Sequence, residues 1–282
     1  MATVGTFTLI KNELPWIRAH LLSWLPHVDQ MVFFDGNSTD GTLDVIEEFR
    51  TSGKIVLERN RDPKNLQDDY VRMFNDCLRT LKTDYAIFAH PDMILDSPGC
   101  IRYLGDHHAY FSRMRSFAGE PCGQLYEIIR GRGARWKNIY RLKNPDLGLH
   151  YFGHYGAKNE DCYFSKITGL DHDFYGQQME KYPYSVGDSG IRILHFSDVR
   201  DRQRRWGRMK ECLLNCGFSD KDAEEITKNH PRVTLKGNGK VEFAPAEYPK
   251  IFKEIEAERL LKQEGLLNDS AKDSPEKTEW GV

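Results

Sequence analysis

The sequence lacks the features that mark secreted and membrane proteins. No run of about 18 apolar residues occurs in its 282 residues, so no transmembrane helix is predicted. The N-terminal segment has neither a basic region nor a small-residue cleavage site, so no signal peptide is expected. The six cysteines are dispersed, with no Cys-x-x-Cys pair and no zinc-like spacing. These absences predict a soluble, reduced, cytoplasmic protein.

An excess of charge of either sign is also missing. The sequence has 40 Lys and Arg residues against 42 Asp and Glu residues, a formal net charge of −2. This balance gives no reason to expect general adhesion to nucleic acids or membranes, so any anion site must be local. The length and the 39% hydrophobic content suffice for one large α/β domain or for a core with a small appendage.

Short β-rich segments alternate with helical patterns over about the first hundred residues. Four segments are predicted as strands: Val4–Ile10, Met31–Phe34, Ile55–Leu57 and Tyr85–Ala89. Four segments have apolar residues at helical spacing: Leu14–Leu25, Thr42–Phe49, Leu66–Leu81 and Ser97–Leu104. Such alternation is typical of a mainly parallel sheet covered by flanking helices.

The second half is less regular. Predicted strands are Gln124–Arg130 and Ile191–Phe196, and a hairpin is expected to turn at Gly237-Asn-Gly239. Predicted helices are Glu160–Ile167, Asp198–Cys216, one that follows a capping box at Ser219–Asp222, and Pro249–Lys262. We expect a domain over 1–197 with a nucleotide-sugar half (1–96) and an acceptor half (97–197), a helical and hairpin appendage (198–267), and a disordered polar tail (268–282).

Polar residues follow three of the strands where they end. Lys11-Asn-Glu13 follows the first, Asp35 ends the second, and His90-Pro-Asp92 follows the strand at Tyr85–Ala89. Ligands of open α/β sheets bind outside the carboxyl ends of the strands, so these positions are candidate site residues. The alternative for Asp35 is an ordinary turn in which Asp and Asn only cap the loop. Asp40 is expected to cap a helix that begins near Thr42.

Three motifs in the same order resemble the GT-A glycosyltransferases, most closely the family 2 group. Phe7-Thr-Leu-Ile-Lys-Asn-Glu13 is similar to the first strand and Asn-Glu turn of that family. Phe34-Asp-Gly-Asn-Ser-Thr-Asp-Gly-Thr42 is similar to its Asp-x-x-Ser-x-Asp-Gly-Thr loop, and His90-Pro-Asp92 stands where the family has Asp-x-Asp. The resemblance covers residues 3 to 96 well. It implies a GT-A, Rossmann-like sheet and transfer of a hexosyl or pentosyl group from a nucleotide-sugar, with UDP as the expected nucleotide.

The resemblance also implies roles for individual residues. Thr8, Glu13, Asp35 and His90 are expected at the nucleotide, and Asp92 and His195 at a divalent cation, Mn²⁺ or Mg²⁺. Carboxylate oxygen suits either ion, a neutral imidazole suits Mn²⁺, and such a cation stabilises a departing diphosphate. His90 replaces the first acid of the family motif, which leaves Asp92 as the metal-binding carboxylate. His195 as a buried core histidine is the alternative.

Glu160-Asp161 resembles the family 2 Glu-Asp pair that begins a helix over the acceptor site. By that pattern Asp161 is the general base and Glu160 an orienting neighbour. Helix capping is the alternative for both acids, because the N-terminal end of a helix stabilises negative charge.

Two basic segments are either solvated faces or clamps for a diphosphate or an anionic acceptor. Their members are Arg130, Arg132, Arg135, Lys137, Arg141 and Lys143, then Arg200, Arg202, Arg204, Arg205, Arg208 and Lys210. The acceptor stays open among glycans, small molecules, proteins and hydroxylated nucleic-acid bases.

Two other functions compete with glycosyl transfer. One is a non-catalytic nucleotide-sugar binding protein; the other is a sugar nucleotidyltransferase, which would need a glycine-rich first loop that Thr8–Glu13 lacks.

Overall fold

The chain forms two compact units, Met1–Ala246 and Glu247–Val282. In the computed structural model, the described residues are 1–59, 73, 76–107, 109–119, 124–129, 134–142, 185–199, 206–207, 210, 213–214, 218–230 and 242–263. The predicted helix at Glu160–Ile167, the hairpin turn at Gly237-Asn-Gly239 and the tail at 268–282 lie outside these residues.

Four parallel strands form the N-terminal half of the sheet. They are β1 (Val4–Ile10), β2 (Gln30–Asp35), β3 (Ile55–Arg59) and β4 (Tyr85–Phe88), in the spatial order β4-β1-β2-β3. Every pair in this group is parallel. β1 and β2 are apolar and buried almost throughout, as expected of strands covered on both faces. The predicted α/β class and its parallel strands are confirmed.

Helices cover both faces of these strands. Helices α1 (Leu14–Trp24) and α2 (Thr42–Phe49) pack on one face, in a cluster that includes Ile10 of β1. Leu9 of β1 belongs to a second cluster with Cys77 and Leu81 on the opposite face. Successive strand residues point to opposite faces, so one apolar strand contributes to both layers of the core. Residues 76–80 are helical, in agreement with the predicted stripe at Leu66–Leu81.

The second half extends the same sheet, largely with antiparallel strands. These strands are β5 (Met93–Ser97), β6 (Ala109–Gly119), β7 (Leu125–Ile129), β8 (Ala134–Arg141), β9 (Val186–Val199) and β10 (Glu242–Ala246). β8 pairs with β4 and thereby joins the two halves, whereas β5 pairs with β9, which also lies parallel to β6. The predicted strands at Gln124–Arg130 and Ile191–Phe196 correspond to β7 and to part of β9.

The helix predicted at Ser97–Leu104 is wrong. β5 occupies the residues up to Ser97, and only a short 3₁₀ turn, Ile101–Tyr103, follows. Gly99 has a left-handed backbone with φ +50°, and a Cβ there would lie 2.4 Å from the backbone of Gly190. A left-handed residue breaks a right-handed helix, so the apolar residues at helical spacing serve a strand and a turn instead.

The capping box at Ser219–Asp222 is confirmed. Helix α3 (Asp220–Asn229) begins directly after Ser219, whose hydroxyl oxygen accepts a hydrogen bond from Asp222 N at 3.1 Å. In the second unit, helix α4 (Lys250–Gln263) matches the helix predicted at Pro249–Lys262. In the described part of the chain, no helix has both the length and the apolar character that crossing a bilayer requires.

Candidate functional site

The carboxyl ends of β1, β2 and β4 bring three polar loops to one edge of the sheet. In the register of these parallel strands, Asp35 of β2 is paired with Ile10 of β1, and Phe88 of β4 is paired with Phe7 of β1. β2 and β4 lie on opposite sides of β1, so their ends are about 10 Å apart, twice the usual spacing between strands. Asp35 and the residues after Phe88 therefore flank the first loop.

Asp35 holds the loop that follows β2. Its carboxylate accepts hydrogen bonds from Asn37 N at 3.1 Å, from Ser38 N at 3.0 Å and from the Ser38 hydroxyl at 2.6 Å. Asn37 has a left-handed backbone with φ 67°, which an Asn tolerates in a tight turn. Asp35 is 2% exposed. Its contact with a nucleotide stays a prediction, and its contact with its own loop is observed.

The loops after β1 and β2 are joined by side chains of each. Asn12 Oδ1 accepts a hydrogen bond from Thr39 N at 2.8 Å, and Asn12 N donates to Ser38 Oγ at 3.0 Å. Glu13 N donates to the Thr42 hydroxyl at 2.8 Å. Gly36 N adds a backbone bond to Ile10 O at 2.8 Å. We call residues 11–13 and 36–42 the joined loops, because hydrogen bonds connect the residues of both sequence motifs.

Asp40 caps two helices. Its carboxylate accepts hydrogen bonds from Leu14 N at 3.0 Å, at the start of α1, and from Thr42 N at 3.0 Å, at the start of α2. The Thr42 hydroxyl donates to the same carboxylate at 2.5 Å. Burial by itself raises the pKa of Asp40, but the hydrogen bonds from Thr42 and Leu14 outweigh it and hold that pKa below its ordinary value. Asp40 thus bonds the first residue of α2, as predicted, although Gly41 holds the N-cap position of that helix, and the bond at the start of α1 is additional.

Three other predicted nucleotide residues have different surroundings. Thr8 is buried within β1, and its hydroxyl donates to Leu9 O at 3.3 Å. The Glu13 carbonyl accepts the first hydrogen bonds of α1, from Trp16 N and Ile17 N, each at 2.9 Å. His90 packs edge-on against Phe88, with ring centroids 4.4 Å apart. Their roles at a nucleotide stay predictions.

Asp92 and His195 are brought together by the pairing of β5 with β9. Asp92 directly precedes β5 and is buried, and His195 lies opposite Met93 in the register of the two strands. The imidazole Nε2 of His195 is 3.6 Å from Asp92 Oδ1. Phe196 N donates to the backbone oxygen of Asp92 at 2.9 Å, which fixes the two segments beside each other. We call Asp92 and His195 the acid–imidazole pair.

The acid–imidazole pair fits two positions on one divalent cation. Ligands at right angles on an octahedral ion, with bonds of about 2.1 Å, are about 3 Å apart, close to the observed 3.6 Å. One carboxylate oxygen and one imidazole nitrogen suit Mn²⁺. Among the described residues, no group of three or more His, Cys, Asp or Glu side chains could hold a metal. Two protein ligands would leave other coordination positions of such an ion open.

Side chains of helix α1 hydrogen-bond to the backbone of β5 just after Asp92, and these residues were not identified from the sequence. His20 Nδ1 and Trp24 Nε1 both donate to the backbone oxygen of Met93, each at 2.9 Å. The Ser23 hydroxyl oxygen accepts from Leu95 N at 3.1 Å. Burial lowers the pKa of His20 to about 4, so this imidazole is neutral near pH 7. In the sequence, Trp24 appears only as a member of an apolar stripe, and no local signal marks His20.

A second buried group holds the end of β4. Asn138 donates to Phe88 O at 3.1 Å, and the Ser112 hydroxyl donates to Asn138 Oδ1 at 2.7 Å. Both side chains are fully buried. They fix the last residue of β4, two residues before His90.

Several predicted site residues lie outside the described part of the chain. These are Glu160, Asp161 and, in the basic segments, Arg130, Arg132, Lys143, Arg200, Arg202, Arg204, Arg205 and Arg208. Of the other basic residues, Arg141 Nη1 is 3.6 Å from Asp106, and Lys210 Nζ is 3.1 Å from Asp220. Both side chains pair with acids of their own surroundings, which favours a solvated face at these two positions.

Comparison with known proteins gives similar solved structures only. No protein-family model matches the chain, and no curated protein sequence does. Residues 1–349 of TarS from S. aureus, in complex with UDP-GlcNAc, match with a TM-score of 0.45 and 12% identity over 83% of this chain and 73% of that one.

Two further structures match over different shares of the chain. GalNAc-T7 with UDP, GalNAc and Mn²⁺ matches with a TM-score of 0.41 and 10% identity, over 93% of this chain and 58% of that one. Glucosyl-3-phosphoglycerate synthase from Mycobacterium tuberculosis, in complex with Mn²⁺, UDP and glucosyl-3-phosphoglycerate, matches with a TM-score of 0.31 and 19% identity, over 40% of this chain and 44% of that one. At these values the likeness establishes neither the activity nor the role of any residue here.

Proposed function

We propose that the chain is a metal-dependent, inverting glycosyltransferase that moves a sugar from a UDP-sugar to an acceptor hydroxyl. The observation that carries the proposal is the acid–imidazole pair, with Asp92 Oδ1 and His195 Nε2 3.6 Å apart at the carboxyl edge of the parallel strands. This edge is where open α/β sheets bind their ligands. The joined loops with Asp35 lie at the same edge, on the other side of β1.

The proposed reaction is a direct displacement. The acceptor hydroxyl oxygen attacks the anomeric carbon while the bond from that carbon to the β-phosphate oxygen breaks, and UDP leaves with the electron pair. Attack from the face opposite the leaving group inverts the anomeric centre. The hydroxyl proton passes to a general base, for which we propose Asp161, with Glu160 as its orienting neighbour.

Asp92 and His195 would hold the cation, Mn²⁺ or Mg²⁺, next to the diphosphate. When bound, such an ion supplies Lewis-acid stabilisation of the leaving diphosphate. Asp35, Glu13, Thr8 and His90 are proposed for the nucleoside side of the donor. A carboxylate accepts hydrogen bonds from a uracil imide or a ribose hydroxyl, which is the role proposed for Asp35.

Release of nucleotide diphosphate from a panel of nucleotide-sugars tests the proposal. We expect release from a UDP-sugar that stops in chelator, returns with Mn²⁺ or Mg²⁺, and is faster when the acceptor is present. Acceptor arms with glycans, small molecules, proteins and nucleic acid containing hydroxylated bases would separate the acceptor classes. Binding of a nucleotide-sugar without release from any donor would instead make the chain a non-catalytic nucleotide-sugar binding protein.

A further inference from the structure

Strand β5 is completed along one edge by side chains of a helix. β9 pairs with its other edge, and within the described residues no second strand pairs with β5. On the open edge, Met93 O accepts hydrogen bonds from His20 Nδ1 and Trp24 Nε1, each at 2.9 Å. Leu95 N donates to Ser23 Oγ at 3.1 Å. Three side chains of α1 therefore satisfy the backbone groups that a neighbouring strand would otherwise pair.

The spacing of these side chains matches the geometry of both elements. Residues 20, 23 and 24 stand at i, i+3 and i+4, so they share one face of α1. Residues 93 and 95 are two apart on β5, so their backbone groups face the same edge. The Ser23 hydroxyl also donates to His20 O at 3.0 Å, which fixes it against its own helix. We call His20, Ser23 and Trp24 the α1 clamp.

The clamp acts on the backbone directly after Asp92. The backbone oxygen of Asp92 accepts from Phe196 N at 2.9 Å, on the side of β9. The next backbone oxygen, that of Met93, accepts from His20 and Trp24, on the side of α1. Two consecutive peptide groups after Asp92 are thus held from opposite sides, and this holds the Asp92 carboxylate at its distance from His195.

We infer that His20, Ser23 and Trp24 are positioning residues that set the geometry of Asp92 for the cation. The inference rests on the proposed metal site at Asp92 and His195. It assigns the clamp no contact with the cation or the donor. Groups that orient metal ligands through hydrogen bonds change metal affinity about 10- to 100-fold when they are removed.

The chemistry of the clamp makes it sensitive to particular substitutions. A carbonyl oxygen has two lone pairs, and His20 and Trp24 occupy the Met93 oxygen together. His20→Leu and Trp24→Phe each remove one donor to this oxygen and leave an apolar side chain in its place in the core. His20→Asn keeps an amide N–H close to the position of Nδ1, so it is the conservative variant.

Titration of Mn²⁺ by electron paramagnetic resonance, with UDP present, tests the inference without reference to turnover. We expect His20→Leu and Trp24→Phe to weaken Mn²⁺ binding about tenfold, and His20→Asn to restore most of the wild-type affinity. Leu21→Ala is the matched control: Leu21 is fully buried on the same helix and has no hydrogen-bonding side-chain group. It should lower the melting temperature and leave the Mn²⁺ affinity within about twofold of the wild type.

The outcomes separate the clamp from the metal site itself. A wild-type protein that binds no Mn²⁺ in the presence of UDP would remove the metal site and the proposed function with it. Two results would overturn the clamp alone. In the first, the wild type binds Mn²⁺ and His20→Leu and Trp24→Phe bind it equally well. In the second, Leu21→Ala weakens Mn²⁺ binding as much as these two variants do. If the larger substitutions prevent folding, Ser23→Ala decides the matter: weaker Mn²⁺ binding supports the inference, and unchanged binding overturns it.

Discussion

The joined loops and the acid–imidazole pair are built in opposite ways at the same edge of the sheet. In the joined loops, Asp35 and Asp40 receive hydrogen bonds from residues two or three positions away and, for Asp40, from Leu14 at the start of α1. In the acid–imidazole pair, Asp92 lies against His195 from a strand of the other half of the sheet. One region is held by its own motif, and the other is assembled by strand pairing.

The carboxylates of the two regions have different roles: in the joined loops they stabilise the loop structure, and in the acid–imidazole pair the carboxylate is placed for a cation. The carboxylates of Asp35 and Asp40 hold the loops in shape, so removing either changes the platform for a nucleotide. The carboxylate of Asp92 is placed next to an imidazole at a distance that suits one cation. Substitutions in the two regions should therefore affect different measured quantities.

The largest effect is expected from Asp92→Asn. An amide is a poor ligand for a hard cation, so Asp92→Asn should be nearly inactive, with turnover of the UDP-sugar lower by about four powers of ten, as lost stabilisation of the leaving group implies. The melting temperature should change little. Asp96→Asn is the control, because Asp96 is an acid of the same strand whose carboxylate lies 3.2 Å from Arg192. Turnover that falls equally in both variants would contradict a special role for Asp92.

Asp161→Asn should lower the transfer rate by about two to four powers of ten, the usual contribution of a general base. Binding of UDP and the requirement for metal should be preserved, because the base acts on the acceptor. Stopped-flow or steady-state transfer assays, with Glu160→Gln alongside, measure this. A collapse in Glu160→Gln with near-normal transfer in Asp161→Asn would reverse the two roles.

The α1 clamp that holds the backbone after Asp92 and the joined loops should also respond to acid in different pH ranges. Burial lowers the pKa of His20 to about 4 from an ordinary 6.5, so the unfolded chain binds a proton that the folded chain excludes. The contribution of His20 to the free energy of unfolding is therefore fully present above about pH 6.5. It is lost as the pH drops towards 4, by up to about 3 kcal/mol.

Asp40 behaves differently, because its lowered pKa keeps the cap ionised until the pH falls below the ordinary carboxylate range. Its contribution is present above about pH 4 and is lost only in stronger acid. Urea unfolding at a series of pH values, for the wild type and His20→Asn, measures the His20 effect. A wild-type slope between pH 6.5 and 4 that persists in His20→Asn would assign the acid response to other groups.

Asp35→Ala should weaken binding of UDP about 10- to 100-fold, as expected for losing hydrogen bonds to a charged group. Ser38→Ala separates the two roles of Asp35, because it removes the 2.6 Å bond within the loop and keeps the carboxylate. Calorimetric titration should show a large loss in Asp35→Ala and a small one in Ser38→Ala. Equal losses in both variants would mean that Asp35 acts only through the shape of the loop.

The smallest effect is expected from Asp40→Ala, measured as stability. Loss of the capping bonds at the starts of α1 and α2 should lower the free energy of unfolding by about 2 kcal/mol. Asp44→Ala is the control, because Asp44 is an exposed acid in the first turn of α2. A loss in Asp40→Ala no larger than in Asp44→Ala would show that charge near the helix end, rather than the cap, stabilises the loops.

Part of the joined loops could be predicted from sequence because the bonds of Asp35 to Ser38 and of Asp40 to Thr42 are local, whereas the bonds that join the two loops, such as Asn12 to Ser38, span more than twenty residues. The strand ends, the helix starts and the cap by Asp40 all follow from residues within a few positions of one another. The acid–imidazole pair required a family resemblance, since the pairing of Met93 with His195 in β5 and β9 is non-local. The same limit explains the helix expected at Ser97–Leu104, where strand pairing and the left-handed Gly99 override apolar spacing. The clamp was not predictable, because His20 has no local partner.

A crystal structure with UDP and Mn²⁺, with anomalous diffraction measured for manganese, tests the central claim most directly. We predict one anomalous peak within bonding distance of Asp92 Oδ1, His195 Nε2 and a diphosphate oxygen, with the nucleoside on the side of the joined loops. Bound UDP with its manganese peak away from Asp92 and His195, or with no peak at all, would contradict the account.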